Sequence, residues 1–341
     1  MSATEHSENG LVRVHQPGPP ALLRELPEQL PAAAQRYRDL GVMGSANTRR
    51  GYAADLRSYE SFCSTHDLNP YPADLLTLSS YLAYLADKPH KLATIHRHLA
   101  AIRKKHQLAR QPIAAAPEAL AEVLDGIALA LGKEQRQAPA FTVEQLKASI
   151  EQLDLSTTAG LRDRALLLLG FAGAFRRSEL VGLNIEDVKF RGEALVVRIG
   201  RSKTNQAGAL QEKAFFRTEN PLFCPITAYQ QWIKQLPNRK KGPVFVSLRR
   251  TREPGQGVPT AKRLSSNAVN ELVGKYLGEA EPGKPYTAHS FRSSFITAAK
   301  LAGQSNEYIK NQTNHKSDAM LQRYTRLTDV VVYNAVKAVG L

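Results

Sequence analysis

From about Ser45 to Pro112 apolar residues recur at three- and four-residue steps, the period of one helix face. Asn47-Thr48 reads as a cap ahead of Tyr52, Leu56, Tyr59 and Phe62. Leu75, Leu78, Leu82 and Leu85 repeat the pattern over 74–86. A third helix is predicted over 92–106, where Leu92, Ile95, Leu99 and Ile102 make one buried stripe, and a fourth over 117–131. A helical run over 161–180 buries Leu166 to Leu169. Helices follow over 265–276 and from Thr287 through Leu301. The alternation changes at Ala194-Leu195-Val196-Val197-Arg198-Ile199, a β-branched strand with a hairpin loop over 200–208 and a return strand at Lys213-Ala214-Phe215-Phe216. The 249–252 and 262–263 basic clusters read as loops.

Between the two regions, Gly132-Lys133-Glu134-Gln135-Arg136-Gln137-Ala138-Pro139 is polar and closed by proline, a linker signature. Thr142-Val143-Glu144-Gln145 then opens the next helix as a capping box. The pattern predicts a mainly α (α+β) chain in four parts. These are a flexible arm over 1–34, rich in Pro and Gly, an all-helical domain over 35–131, a linker over 132–140, and a larger mixed domain with a small antiparallel sheet over 141–341.

Charge changes the picture most. Against 31 acidic residues stand 46 Lys and Arg, a net charge of +15. Such a surplus favours a polyanion, nucleic acid before an anionic membrane. From Lys91 to Arg110 there are six basic residues and no acid. Soluble faces usually mix signs, so Arg97, Arg103, Lys104 and Lys105 are expected to contact DNA. Cys63 and Cys224 are too few for a disulfide framework or a zinc site, which suits a reducing compartment. No apolar run reaches membrane-spanning length, and Met1-Ser2-Ala3-Thr4-Glu5-His6 lacks the features of a signal peptide. The expected location is the cytoplasm, in association with the nucleoid.

Candidate chemistry is concentrated in the last quarter. His289, Arg292, His315 and Tyr324 fall within thirty-six residues. A guanidinium forks onto phosphate oxygens, an imidazole moves or donates a proton near pH 7, and a phenol can attack phosphorus and hold the strand as an ester. Together they suit phosphodiester cleavage through a protein nucleophile. A metal site on His289 and His315 finds no carboxylate or cysteine at ligand spacing.

The H-x-x-R motif, followed by His315 and by Tyr324 nine residues later, resembles the tyrosine recombinase family of phage and plasmid integrases. Arg176-Arg177-Ser178-Glu179-Leu180 looks like that family's first arginine motif, and Ile199-Gly200-Arg201-Ser202-Lys203-Thr204 is similar to the Cre-type hairpin. The resemblance implies that Arg176 and Arg292 hold the scissile phosphate while Glu179 steadies Arg176. Lys203 acts as general acid, with Arg201 and Lys213 as fallback phosphate contacts. His289 assists proton transfer, His315 donates to the phosphate, and Tyr324 is the nucleophile. Asn314 stands where the family usually has glycine, and asparagine is among the residues that tolerate a left-handed turn.

The implied activity is site-specific recombination of double-stranded DNA bearing inverted repeats. A homotetramer would act through a 3′-phosphotyrosine and a Holliday junction, with no cofactor or metal and no membrane partner. The C-terminal apolar tail, including Val336, Val339 and Leu341, is expected to dock on a neighbouring subunit. Type IB topoisomerase-like relaxation and a catalytically silent DNA-binding protein are the alternatives.

Overall fold

A computed structural model of the chain describes residues 44–322, apart from 89, 133–137, 201–210, 238, 253–255, 281–282 and 316, together with Ala34, Arg36 and Tyr37. Most of the arm expected over 1–34 and all of the apolar tail lie outside the described residues. By internal contacts the chain divides into two units, Met1–Glu134 and Gln135–Leu341.

The first unit contains α1 (Ala46–Thr65), α2 (Leu75–Asp87), α3 (Leu92–Ala109) and α4 (Pro117–Leu131). The cap of α1 is Ser45, whose hydroxyl accepts from the Thr48 N–H at 3.2 Å, so the helix begins ahead of the predicted Asn47-Thr48 cap. Asp74 caps α2 through the Thr77 N–H at 2.7 Å. The predicted stripe of α3 is the buried one: Ile95, Leu99 and Ile102 pack with Tyr59, Phe62, Leu78, Leu82 and Leu85 in one core. Each such side chain contributes about 1.5–3 kcal/mol on burial. The helix stops at Arg110, which turns left-handed at φ 54°.

The second unit opens with α5 (Val143–Glu151), where the expected Thr142–Gln145 capping box is formed. Behind it, α6 (Thr158–Ala172) buries Ala165 through Gly170 in succession, as a central helix must. The helical run expected over 161–180 is broken. After α6 the chain passes Gly173 and Ala174, the latter at φ 43°, before α7 (Arg177–Gly182) begins. Three strands follow, β1 (Val188–Arg191), β2 (Ala194–Ile199) and β3 (Gln211–Phe215), antiparallel in the order β1-β2-β3, with Val197 opposite Lys213.

Next come α8 (Pro225–Gln235) and a second hairpin, β4 (Val246–Arg250) and β5 (Gly257–Arg263). This hairpin corrects the loop reading of the basic clusters, because Arg249, Arg250, Lys262 and Arg263 lie on paired strands. The Arg263 guanidinium binds the carbonyls of Val181 and Leu183 and the Asn184 side chain, so it is a fastening for the end of α7.

The last described elements of the unit are α9 (Ser266–Ala280), α10 (Ala288–Leu301), α11 (Asn306–Thr313) and α12 (Asp318–Gln322). Gly170 on α6 faces the buried Phe291 ring of α10. A Cβ there would meet the ring at 2.6 Å, so glycine sets how closely α10 approaches the central helix.

Candidate active site

Arg176 occupies the N-cap position of α7 in extended conformation. Its neighbour Phe175 is fully buried and stacks on Phe215 of β3 at 6.2 Å. Successive residues of an extended segment point to opposite sides, so anchoring Phe175 in the core turns Arg176 the other way. The Glu179 carboxylate accepts from the Arg176 backbone N–H at 3.0 Å and from its guanidinium at 2.5 Å. Glu179 is buried, and Arg176 retains 14% side-chain exposure. Glu179 is thus helix cap and ion-pair partner of Arg176 in one side chain.

Arg292 lies on the second turn of α10 and is wholly buried. Thr287 caps that helix, its backbone N–H bonded to Ser290 Oγ at 3.1 Å. The Arg292 Nη2 donates to the Thr313 carbonyl at the end of α11. His289 stands one turn before Arg292 and is exposed, so the two side chains meet very different surroundings.

His315 follows α11 through a left-handed Asn314 at φ 56°, ψ 39°. Asparagine therefore makes the left-handed turn that its side chain was expected to tolerate. The His315 ring is buried, with Nδ1 at 2.8 Å from Thr313 Oγ1. That hydroxyl lies 2.7 Å from the Ile309 carbonyl, which can only accept. Its single proton goes to Ile309, so His315 Nδ1 is the donor to Thr313 and neutral His315 carries its lone pair on Nε2.

One residue was undervalued by the sequence reading. Lys213 of β3, considered only as a fallback phosphate contact, is 1% exposed. Its ammonium donates to the Gln312 carbonyl and lies 5.3 Å from the centre of the Phe175 ring. The warning in the sequence is its position: in the period-2 pattern of β3 it shares the inward face with Phe215.

These groups sense one another. Burial raises the Glu179 carboxyl, but the Arg176 charge and hydrogen bonds, with Arg292, overcome this and hold it below its usual value. Burial, then Arg292 and Arg176, lowers Lys213 to about 7 against the opposing pull of Glu179. Burial, then Arg292, Arg176 and Lys213, lowers His315 to about 3, so the ring is neutral at pH 7. Among the described residues the cluster holds three cationic side chains to one carboxylate, an arrangement suited to an anion. A cleft of about 440 Å³, lined by Gln211, Glu307, Lys310, Asn311, Asn314 and His315, opens beside it.

The structure thus gathers Arg176, Glu179, Arg292 and His315, with His289 one turn away from Arg292. Lys203, Arg201 and Tyr324 lie outside the described residues. Among the described residues, no group of three or more His, Cys, Asp or Glu side chains could hold a metal ion, and no helix is long and apolar enough to cross a membrane.

In the first unit, Arg97 is engaged by Asp55 through two bonds of 2.8 and 2.9 Å, with half of its side chain still exposed. Arg103 and Lys105 are exposed, Lys105 lying 5.7 Å from the Tyr71 ring centre, and Lys104 bonds Gln107 at 2.8 Å.

Comparison with known proteins matches residues 139–330 to the phage integrase family and residues 40–111 to the phage integrase N-terminal SAM-like domain. An integrase/recombinase XerD homolog of Selenomonas ruminantium is 30% identical over 296 residues, covering 85% of this chain and 84% of that protein. Tyrosine recombinase XerC of Syntrophus aciditrophicus is 24% identical, covering 86% and 91%. Among solved structures, the Tn1549 transposon integrase in complex with circular intermediate DNA aligns with a TM-score of 0.58 at 19% identity, covering 87% of this chain and 94% of that one. XerH bound to a palindromic difH substrate aligns with a TM-score of 0.58 at 15% identity, covering 84% and 78%. These two share the mostly helical fold with small antiparallel sheets.

Proposed function

The chain belongs to the phage integrase family of tyrosine recombinases, and from that premise we propose how its residues divide the work of site-specific DNA recombination. The observation that carries the assignment is the convergence of Arg176, Arg292 and His315 around one buried carboxylate, Glu179.

Arg176 and Arg292 grip the non-bridging oxygens of the scissile phosphate. Tyr324 attacks phosphorus, forming a phenolic O–P bond as the P–O5′ bond breaks. Lys203 supplies the proton taken by the departing 5′ oxygen, and His289, exposed to solvent, takes the phenol proton. The product is a 3′-phosphotyrosine and a free 5′-hydroxyl. Attack on that ester by the partner strand's 5′-hydroxyl restores the phosphodiester and passes through a Holliday junction. Bond energy is conserved in the ester, so the residue set calls for neither a nucleotide nor a metal.

Neutral His315 offers a lone pair at Nε2 and becomes a donor to the phosphate only by gaining a proton. An arriving phosphate favours that gain, because an opposite charge nearby stabilises the charged ring.

Arg103, Lys104 and Lys105 of the 91–110 helix contact the DNA backbone. Four protomers hold two inverted-repeat sites in the nucleoid, the C-terminal tail of each docking on its neighbour.

Covalent trapping on nicked DNA from the regions flanking the gene, in EDTA, tests the assignment. Wild type is expected to become linked to a labelled strand, and Tyr324→Phe to shift the DNA without linkage. Linkage by both proteins would reject Tyr324 as nucleophile. A shift with no linkage by either would favour the silent binder, and loss of linkage in EDTA would reject the metal-free mechanism.

A further inference from the structure

Lys213 is the one side chain of the cationic cluster for which the proposed cleavage chemistry has no use. A lysine on the inward face of a core strand is costly, since its charge loses water. Its surroundings show what it does there. Its ammonium donates to the Gln312 carbonyl, and Arg292 donates to the next carbonyl, Thr313. Two cations therefore close the C-terminal end of α11, where the unbonded carbonyls and the helix dipole both favour positive charge.

The junction is fastened from the other direction as well. The Gln312 side-chain amide donates to the carbonyls of Ala172, at 2.7 Å, and Ala214, at 3.1 Å. End of α6, β3 and end of α11 are thus joined at one point, and His315 follows two residues beyond Thr313.

We propose that Lys213 is a positioning residue for strand cleavage: its buried ammonium holds the α11 end, and with it His315, against the Arg176–Glu179–Arg292 cluster. This rests on the assignment of that cluster to phosphate binding. Lys213 acts through His315 and does not touch DNA, because it is sealed from solvent. Among the described residues, the charged and titratable groups facing it are Arg176 and Glu179 at the start of α7, Arg292 on α10 and His315 after α11. Burial first, then Arg292 and Arg176 against Glu179, lowers its pKa to about 7, so its charge changes within the range in which cleavage can be measured.

The test compares wild type with Lys213→Met, which keeps the chain length without the charge, and Lys213→Gln, which keeps a donor for Gln312. Three quantities are read: affinity for nicked target DNA at fixed salt, the rate of covalent linkage at saturating DNA from pH 6 to 9, and the ring nitrogen resonances of His315. For Lys213→Met the expected result is at least a tenfold slower linkage, affinity within threefold of wild type, and displaced His315 resonances. Its deficit should narrow as pH rises, since only the wild type loses charge there. Lys213→Gln should recover part of the rate.

Linkage by Lys213→Met within twofold of wild type, with His315 resonances unmoved, would overturn the proposal, as would a folded Lys213→Gln no faster than Lys213→Met. If wild type itself forms no linkage while Lys213→Met still displaces His315, the cleavage assignment fails and the positioning of His315 by Lys213 stands.

Discussion

Each unit of the chain contains a buried network built around one carboxylate, and the two networks are balanced differently. In the first, Asp55 of α1 accepts both bonds from Arg97 and lies 3.2 Å from His98 Nε2, while His98 Nδ1 bonds the Tyr81 hydroxyl at 2.8 Å. Burial first, with Arg97 and His90, lowers the His98 ring against the pull of Asp55, leaving it neutral at pH 7. One cation meets one anion and the network closes on itself. In the second, among the described residues, Glu179 alone faces Arg176, Arg292 and the partly charged Lys213. A closed network holds helices together; a surplus of buried positive charge weakens the fold and strengthens binding to an anion.

The sharpest way to break this comparison is to remove a member of the surplus. Arg176→Ala should slow covalent linkage to nicked DNA about a hundred- to a thousandfold, the scale expected for a preorganised donor on a transferring group. Its cost in stability should be no more than a few kcal/mol, because the buried Glu179 loses one partner but keeps the backbone N–H of residue 176 and the Arg292 charge. A large loss of stability with little loss of rate would reverse the roles given to the two networks.

A smaller effect is expected from the balanced network. Asp55→Asn leaves Arg97 without its partner charge and should cost roughly 2 kcal/mol, the range for a charge-assisted hydrogen bond, read as a lowered urea midpoint. The linkage rate at saturating DNA should not change, since Asp55 belongs to the other unit.

The smallest effect sharpens the contrast through pH. Unfolded Lys213 titrates at about 10.4, and the folded side chain at about 7. Below pH 7 both states are charged and the cost of burial is fully felt. Between these values the unfolded state binds more protons, so stability rises with pH, by at most about 1.4 kcal/mol per pH unit. Lys213→Met should remove that slope. Urea unfolding of both proteins at pH 6 and pH 9 measures it, and equal slopes would show that Lys213 is not held near neutrality.

Much of the fold was legible because it is local. The stripe Ile95, Leu99, Ile102 and the Thr142–Gln145 box need only the residues beside them, and helix period or capping chemistry declares them. The Arg176 motif, Arg292 and the left-handed Asn314 were legible for the same reason, as short spacings on known element types. The 161–180 run misled because its apolar content continues across Gly173 and Ala174, and a positive φ at alanine has no composition signal. Arg249, Arg250 and Lys262 looked like loop residues because strands facing solvent on one side tolerate basic side chains.

By itself, the sequence determined which chemical groups are present, their order and the helices that present them: periodicity and capping act over a few residues and survive without tertiary context. Tertiary structure alone decided their environments. It joined Arg97 to Asp55 across 42 residues and took Lys213 out of water. It also set the Lys213 ammonium against a carbonyl 99 residues away. Burial and Coulomb energy depend on distances through space, and those exist only once the helices have packed.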